Sequence, residues 1–132
     1  MITLDRAAAI ALALPEVVEA ERHGHRCWQV GGKVFAWERP FSKADVKRFA
    51  DTAPPAGDIL AISVADLAEK EAVLAAHPAG FFTIPHFNGY AAVLVHLSTA
   101  PTRAVREVLV DGWLACAPAA LAEQYLAGRR GR

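Results

Sequence analysis

The feature that most constrains the fold is a run of alternating side chains interrupted by a pair of glycines. Residues 26–30 precede Gly31-Gly32, and residues 33–38 follow it. A two-residue Gly-Gly loop supplies the positive φ angles of a tight hairpin turn. The turn predicts these facing pairs on one side of a β-hairpin: Val30 with Lys33, Trp28 with Phe35, and Arg26 with Trp37. The large aromatic rings make that side the predicted core face.

The rest of the chain shows helical spacing interrupted by short apolar runs. The spacing predicts a first helix that begins after Thr3 and ends before Pro15, and later helices over 42–49, 66–77, 102–116 and after Pro118. Strands are predicted over 17–23, 59–64, 81–84 and 91–97. This order predicts a single α+β domain over residues 1–132, with an antiparallel sheet and helices packed on one face.

Composition excludes several classes of protein. The chain has 132 residues, of which 54% are hydrophobic and 21% charged, so it can bury one core without the help of disulfides or structural metals. No apolar run approaches the roughly 18 residues of a membrane span, and the N-terminus lacks the basic region of a signal peptide. Cys27 and Cys116 lie far apart without CxxC spacing, which argues against a disulfide scaffold or a structural zinc site. We therefore expect a cytoplasmic protein.

Charge is balanced overall but unevenly distributed. Fourteen basic residues match fourteen acidic ones, yet the basic residues concentrate in one zone: Arg22, Arg26, Lys33, Arg39, Lys43, Lys47 and Arg48. Lysine and arginine supply most of the non-specific affinity for nucleic acid, and a two-stranded ribbon can enter a DNA groove. The zone is a candidate surface for the backbone of double-stranded DNA. A solvated charged face is the alternative interpretation.

Residue patterns for catalysis or metal binding are weak. His23-Gly24-His25 offers two metal ligands without an evident third, and Cys27 does not precede a helix, where its pKa would fall. No catalytic residue, metal or cofactor is therefore expected. A further alternative is a binding module for a small molecule or a protein partner, with an aromatic pocket near the late turn between the last two predicted strands. Its candidate residues are Phe82, His86, Phe87 and Tyr90, which would equally suit a core.

Several segments together resemble the MmcQ/YjbR family. They are the opening 13–17, the hairpin 28–36, the late stretch 81–95 and the ending 113–118. The resemblance implies a fold similar to the bacterial frataxin-like arrangement and DNA binding through a double wing, with no enzymatic activity or cofactor attached. Many members carry a tryptophan, often after a basic pair, where this chain has Tyr90-Ala91-Ala92. The expected DNA contacts are therefore placed on the hairpin of residues 22–39 and the helix after it.

Overall fold

The computed structural model describes residues 2–40 and 57–130. The strands within these residues are β1 (Val18–Arg22), β2 (His25–Val30), β3 (Lys33–Glu38), β4 (Ile59–Ser63), β5 (Phe81–Phe82) and β6 (Ala92–His96). The α-helices in the same residues are α1 (Leu4–Leu12), α2 (Leu67–Ala76), α3 (Thr102–Cys116) and α4 (Ala119–Arg130), and Pro85–Phe87 forms a 3₁₀ turn. The helix predicted over 42–49 lies outside the described residues. None of the described helices has the length and apolar character needed to cross a membrane.

The described strands form one antiparallel sheet with the order β1-β2-β3-β4-β6-β5. Its central strands are buried on both faces. In β4, Leu60 and Ile62 belong to a large apolar cluster, whereas Ile59 and Ala61 belong to a smaller one. Because side chains alternate between the faces of a strand, the two clusters lie on opposite sides of the sheet.

All the described α-helices pack against the large cluster. They contribute to it through Ala8 of α1, Val73 of α2, Leu109 of α3 and Tyr125 of α4. The smaller cluster on the other face contains no residue of an α-helix among those described and is covered by the 3₁₀ turn through Phe87. The predicted α+β architecture with helices on one face is therefore confirmed.

The register of the β2–β3 hairpin departs from the prediction beyond its first pairs. Val30 pairs with Lys33 as expected, but the register then shifts between Trp28 and Gln29. Trp28 therefore pairs with Ala36, and Cys27 with Trp37. The predicted Trp28–Phe35 and Arg26–Trp37 pairs are wrong, because a β-bulge inserts an extra residue into one strand.

The bulge decides which face Trp37 occupies. Phe35 and Ala36 both pack into the large cluster on the helix side, although they are neighbours in sequence. Trp37 instead packs against the smaller cluster on the opposite face. A regular strand would have placed Phe35 and Trp37 on the same side. The bulge therefore places the Trp37 ring on the face of the sheet that the helices do not cover.

Candidate functional site

A groove of about 920 Å³ runs beside β2 and β3. Among the described residues its basic lining comes from β1, the turn after it, β2, β3 and the residue after β3: Arg22, His23, His25, Arg26, Lys33 and Arg39. Glu38 is the acidic residue in that described lining, and Trp37 and Tyr90 supply aromatic rings. The structure thus brings the predicted basic residues of the hairpin and the predicted aromatic residue Tyr90 to one surface.

Two tight turns shape this surface. His23 and Gly24 have φ angles of 53° and 78°, and Gly31 and Gly32 have φ angles of 57° and 80°. Paired positive φ angles are typical of two-residue hairpin turns that match the twist of the strands. The Gly31-Gly32 turn confirms the sequence prediction. The His23-Gly24 turn was not predicted, although an X-Gly pair between two extended stretches carries the same signal.

Cationic side chains stand at both ends of the groove. Lys33 begins β3, Arg39 follows its last residue, and Arg22 ends β1. Arg22 and Lys33 are exposed, and neither makes an ion pair with another described residue. Since β3 has six residues, the positive charge extends over roughly 20 Å at about 3.3 Å per residue. This length suits an extended polyanion better than a single small anion.

Arg26 is bound differently from the other predicted phosphate ligands. Its Nε and Nη2 donate to the Glu19 carboxylate at 3.1 and 3.0 Å, and its Nη1 donates to Asp5 Oδ1 at 2.8 Å. Its guanidinium also lies 5.4 Å from the ring centre of Trp28. The bonds from Arg26 hold the pKa of the Glu19 carboxyl below its usual value. These contacts connect α1, β1 and β2, so Arg26 has a structural role whether or not it also contacts DNA.

The aromatic side of the groove is built from three rings. Trp37 and Phe87 stack with ring centres 6.4 Å apart, and Phe87 meets the edge of Tyr90 at 5.5 Å. Phe87 is buried in the smaller cluster, whereas Tyr90 is 52% exposed. The Arg39 guanidinium lies 5.5 Å from the Phe87 ring centre. The rings therefore form a continuous wall with Phe87 behind and Tyr90 in front.

The residues of the predicted aromatic pocket occupy different environments. Phe82 is half-buried against the smaller cluster, Phe87 belongs to that cluster, and His86 is exposed. Tyr90 is the member of this group that lines the groove. A pocket formed by all four side chains stays a prediction, and the same applies to DNA contacts by Lys43, Lys47 and Arg48. These three basic residues lie outside the described parts of the chain.

Lys70 supports the aromatic wall and was not identified from the sequence. It is buried, and its Nζ donates to the Phe87 and Tyr90 carbonyl oxygens at 2.6 and 2.8 Å. Burial lowers the pKa of its ammonium group. The sequence feature that could have identified Lys70 is its spacing, which places it on the same helix face as Val73 and Leu74. A lysine on an apolar stripe needs buried partners, and here these are the two carbonyls.

The groove also contains both cysteines. Cys27 is buried and Cys116 half-buried, and neither forms a disulfide. Burial raises the pKa of the Cys116 thiol, which disfavours the thiolate needed for nucleophilic attack. In the described parts of the chain, no group of three or more histidine, cysteine, aspartate or glutamate side chains is placed to hold a metal ion.

Comparison with known proteins places the chain in a family. It is 41% identical over 129 residues to the uncharacterized proteins Rv2570 of Mycobacterium tuberculosis (strain ATCC 25618 / H37Rv) and Mb2600 of Mycobacterium bovis. These alignments cover 96% of this chain and 98% of each relative. No solved structure matches it. The family model of YjbR matches residues 12–115, which span every described strand and the late 3₁₀ turn, so the chain belongs to the MmcQ/YjbR family.

Proposed function

We propose that this chain is a non-enzymatic, cytoplasmic DNA-binding domain that holds the phosphate backbone of double-stranded DNA in the groove beside β3. The observation that carries the proposal is the distribution of Arg22, Lys33 and Arg39 along one groove, with Glu38 as the acidic residue in its described lining. Membership of the MmcQ/YjbR family agrees with this interpretation.

The spacing of the charges favours a nucleic acid over a small metabolite. A metabolite phosphate is normally held by groups that converge on one point, often at a helix N-terminus. Here Lys33 and Arg39 lie at opposite ends of β3, so one small anion would not contact both. Successive phosphates of a DNA backbone can contact both ends together. Such contacts position a protein on DNA without reading its sequence, so we expect weak sequence selectivity.

The test is fluorescence anisotropy of a labelled DNA duplex across a salt series. The variant is the full chain with Arg22→Glu and Lys33→Glu together, because both side chains are exposed and their replacement leaves the core intact. We expect micromolar binding by the parent protein that weakens steeply with salt. The double variant should lower the slope of log affinity against log salt by about one for each phosphate that it no longer neutralises.

A matched control uses two other arginines. Arg103 and Arg106 lie on α3, about 15–20 Å along the helix from Cys116 at a rise of about 1.5 Å per residue. Arg103→Glu with Arg106→Glu makes the same change in net charge away from the groove. We expect this control to retain most of the affinity and the parent salt slope. Equal reductions of affinity in both double variants would show attraction by net charge alone and would reject the groove as the binding surface.

A further inference from the structure

Two rings of the aromatic wall are partly exposed in the groove, although binding of a phosphate backbone does not require aromatic rings. Tyr90 is 52% exposed, and Trp37 is half-buried on the same groove. Trp37 and Tyr90 lie 6.3 Å apart with their planes inclined by 54°. Phosphate contacts are made by cations, amide N–H groups and hydroxyl groups, so they could use the Tyr90 hydroxyl but do not account for the exposed faces of the two rings. The rings point to a second kind of contact in the same groove.

The backbone behind Tyr90 is held in place. The Tyr90 backbone N–H donates to the Phe87 carbonyl at 3.0 Å, and Lys70 Nζ binds the carbonyl oxygens of both residues. The Tyr90 ring meets the buried Phe87 ring edge-on. A ring positioned before a ligand arrives loses little conformational entropy on binding, which favours affinity. Tyr90 is therefore preorganised as a contact surface.

Rings beside a row of cations match the chemistry of an unpaired nucleic-acid strand. In duplex DNA the faces of the bases are covered by stacking, whereas in a single strand they can lie on an aromatic side chain while cations contact the phosphates. Lys33 and Arg22 supply such cations in this groove, and Tyr90 and Trp37 supply the rings.

We propose that the groove binds single-stranded DNA in preference to duplex DNA, with an unpaired base stacked on Tyr90 beside Trp37 and the neighbouring phosphates on the cations. This inference rests on the proposed function, because it uses the same groove and the same cations. It adds the form of DNA that is preferred and assigns Tyr90 as the residue that determines the preference. Stacking is largely independent of base identity, so the preference does not require a particular sequence.

The experiment compares three labelled probes with the full chain at one salt concentration: an oligothymidylate, an abasic strand of the same length, and a duplex of that length. The abasic strand keeps the phosphates but lacks the bases. We expect the oligothymidylate to bind about five- to a hundredfold more tightly than the abasic strand, which corresponds to one stacked base. The duplex should bind more weakly than the oligothymidylate.

Variants at Tyr90 assign the effect to the ring. Tyr90→Ala should remove most of the difference between the oligothymidylate and the abasic strand, and Tyr90→Phe should keep it. Leu67→Ala is the control, because Leu67 is another large apolar side chain that is 49% exposed but lies at the start of α2. Thermal unfolding of each variant checks that the fold is retained.

The outcomes separate this inference from the proposed function. Equal affinity for the oligothymidylate and the abasic strand, with binding that still falls with salt, would overturn base stacking and leave phosphate binding in place. Tighter binding of the duplex than of the oligothymidylate would also overturn the inference alone. No binding of any probe at low salt would overturn the proposed function and this inference together.

Discussion

The two faces of the sheet bury aromatic rings to very different degrees. On the helix side, Trp28, Phe35 and Trp113 are each no more than 1% exposed. On the other side, Phe87 is buried, but Trp37 is half-buried and Tyr90 is 52% exposed. Burial of apolar surface is the main stabilising contribution to folding, so the helix side supplies most of the stability. The exposed rings on the opposite side are available for a ligand.

The comparison also separates two uses of arginine. Both Arg22 and Arg26 line the groove, but Arg26 is bound to carboxylates of α1 and β1, whereas Arg22 is exposed at the end of β1. Both belong to the same basic zone of the sequence. Their different surroundings show that the basic residues of this zone divide between structural ion pairs and exposed groove positions only when the chain is folded. Substitutions on the two faces should therefore affect different measurements.

The largest effect is expected from Trp113→Ala on the helix side. Trp113 is fully buried, its Nε1 donates to the Pro15 carbonyl at 3.1 Å, and its ring lies 5.0 Å from that of Tyr125. Truncating a buried tryptophan costs about 3–5 kcal/mol because it leaves a cavity, and urea unfolding measures this destabilisation. Tyr90→Ala should cost only about 0.5–1.5 kcal/mol, the usual contribution of an aromatic contact. Similar destabilisation by Trp113→Ala and Tyr90→Ala would contradict the inference that the helix side of the sheet supplies most of the stability.

A smaller decrease in stability is expected from Gly112→Ala on α3. A Cβ atom at this position would lie 2.8 Å from Ile62 Cγ2 and 2.8 Å from the Ser63 carbonyl oxygen. The helix would have to move away from β4, at a cost of about 1–3 kcal/mol. Gly128→Ala is the matched control in α4, where a Cβ atom would meet nothing within 4 Å. There alanine should stabilise the protein by about 0.4–1 kcal/mol, and opposite signs in urea unfolding would confirm the close contact of α3 with the sheet.

Much of the fold could be predicted from local patterns. The helical spacing predicted a helix over 102–116, and the structure has α3 over the same residues. The helix predicted to begin at Asp66 is α2, and the Asp66 carboxylate caps it by accepting from the Glu69 N–H at 2.8 Å. The bulge in the β2–β3 hairpin could not be predicted, because alternation in sequence gives no sign that Phe35 and Ala36 both face the helices. That choice depends on packing against residues distant in sequence.

The candidate site was predicted only in part for a related reason. The basic residues of the hairpin were evident from the sequence, since charge clusters are visible without a structure. The contact of Tyr90 with Trp37 joins residues far apart in the chain, and Arg26 bonds to Asp5, which is also distant in sequence. Such contacts are set by the order of strands in the sheet, which the sequence does not display. The sequence therefore indicated the charge of the site and two of its rings, Phe87 and Tyr90, but not their contact with Trp37.

The smallest effect is expected from Glu19→Gln, which sharpens the distinction between Arg26 and the groove cations. The hydrogen bond from Arg26 keeps the pKa of the Glu19 carboxyl below its ordinary value of 4.5. A carboxyl whose pKa is lowered by folding stabilises the protein above the ordinary pKa, and this contribution disappears as the pH falls through the lowered value. Because Glu19 is partly exposed, we expect a destabilisation of only about 0.2–1 kcal/mol at neutral pH.

Urea unfolding from neutral pH down through 4.5 measures this destabilisation. The difference between the parent protein and Glu19→Gln should shrink toward zero in acid, because protonation of Glu19 removes the same ion pair in the parent. Glu21→Gln is the control, since Glu21 is an exposed carboxylate on the same strand and should show a smaller difference. A difference that stays constant with pH would mean that Arg26 does not depend on the Glu19 charge.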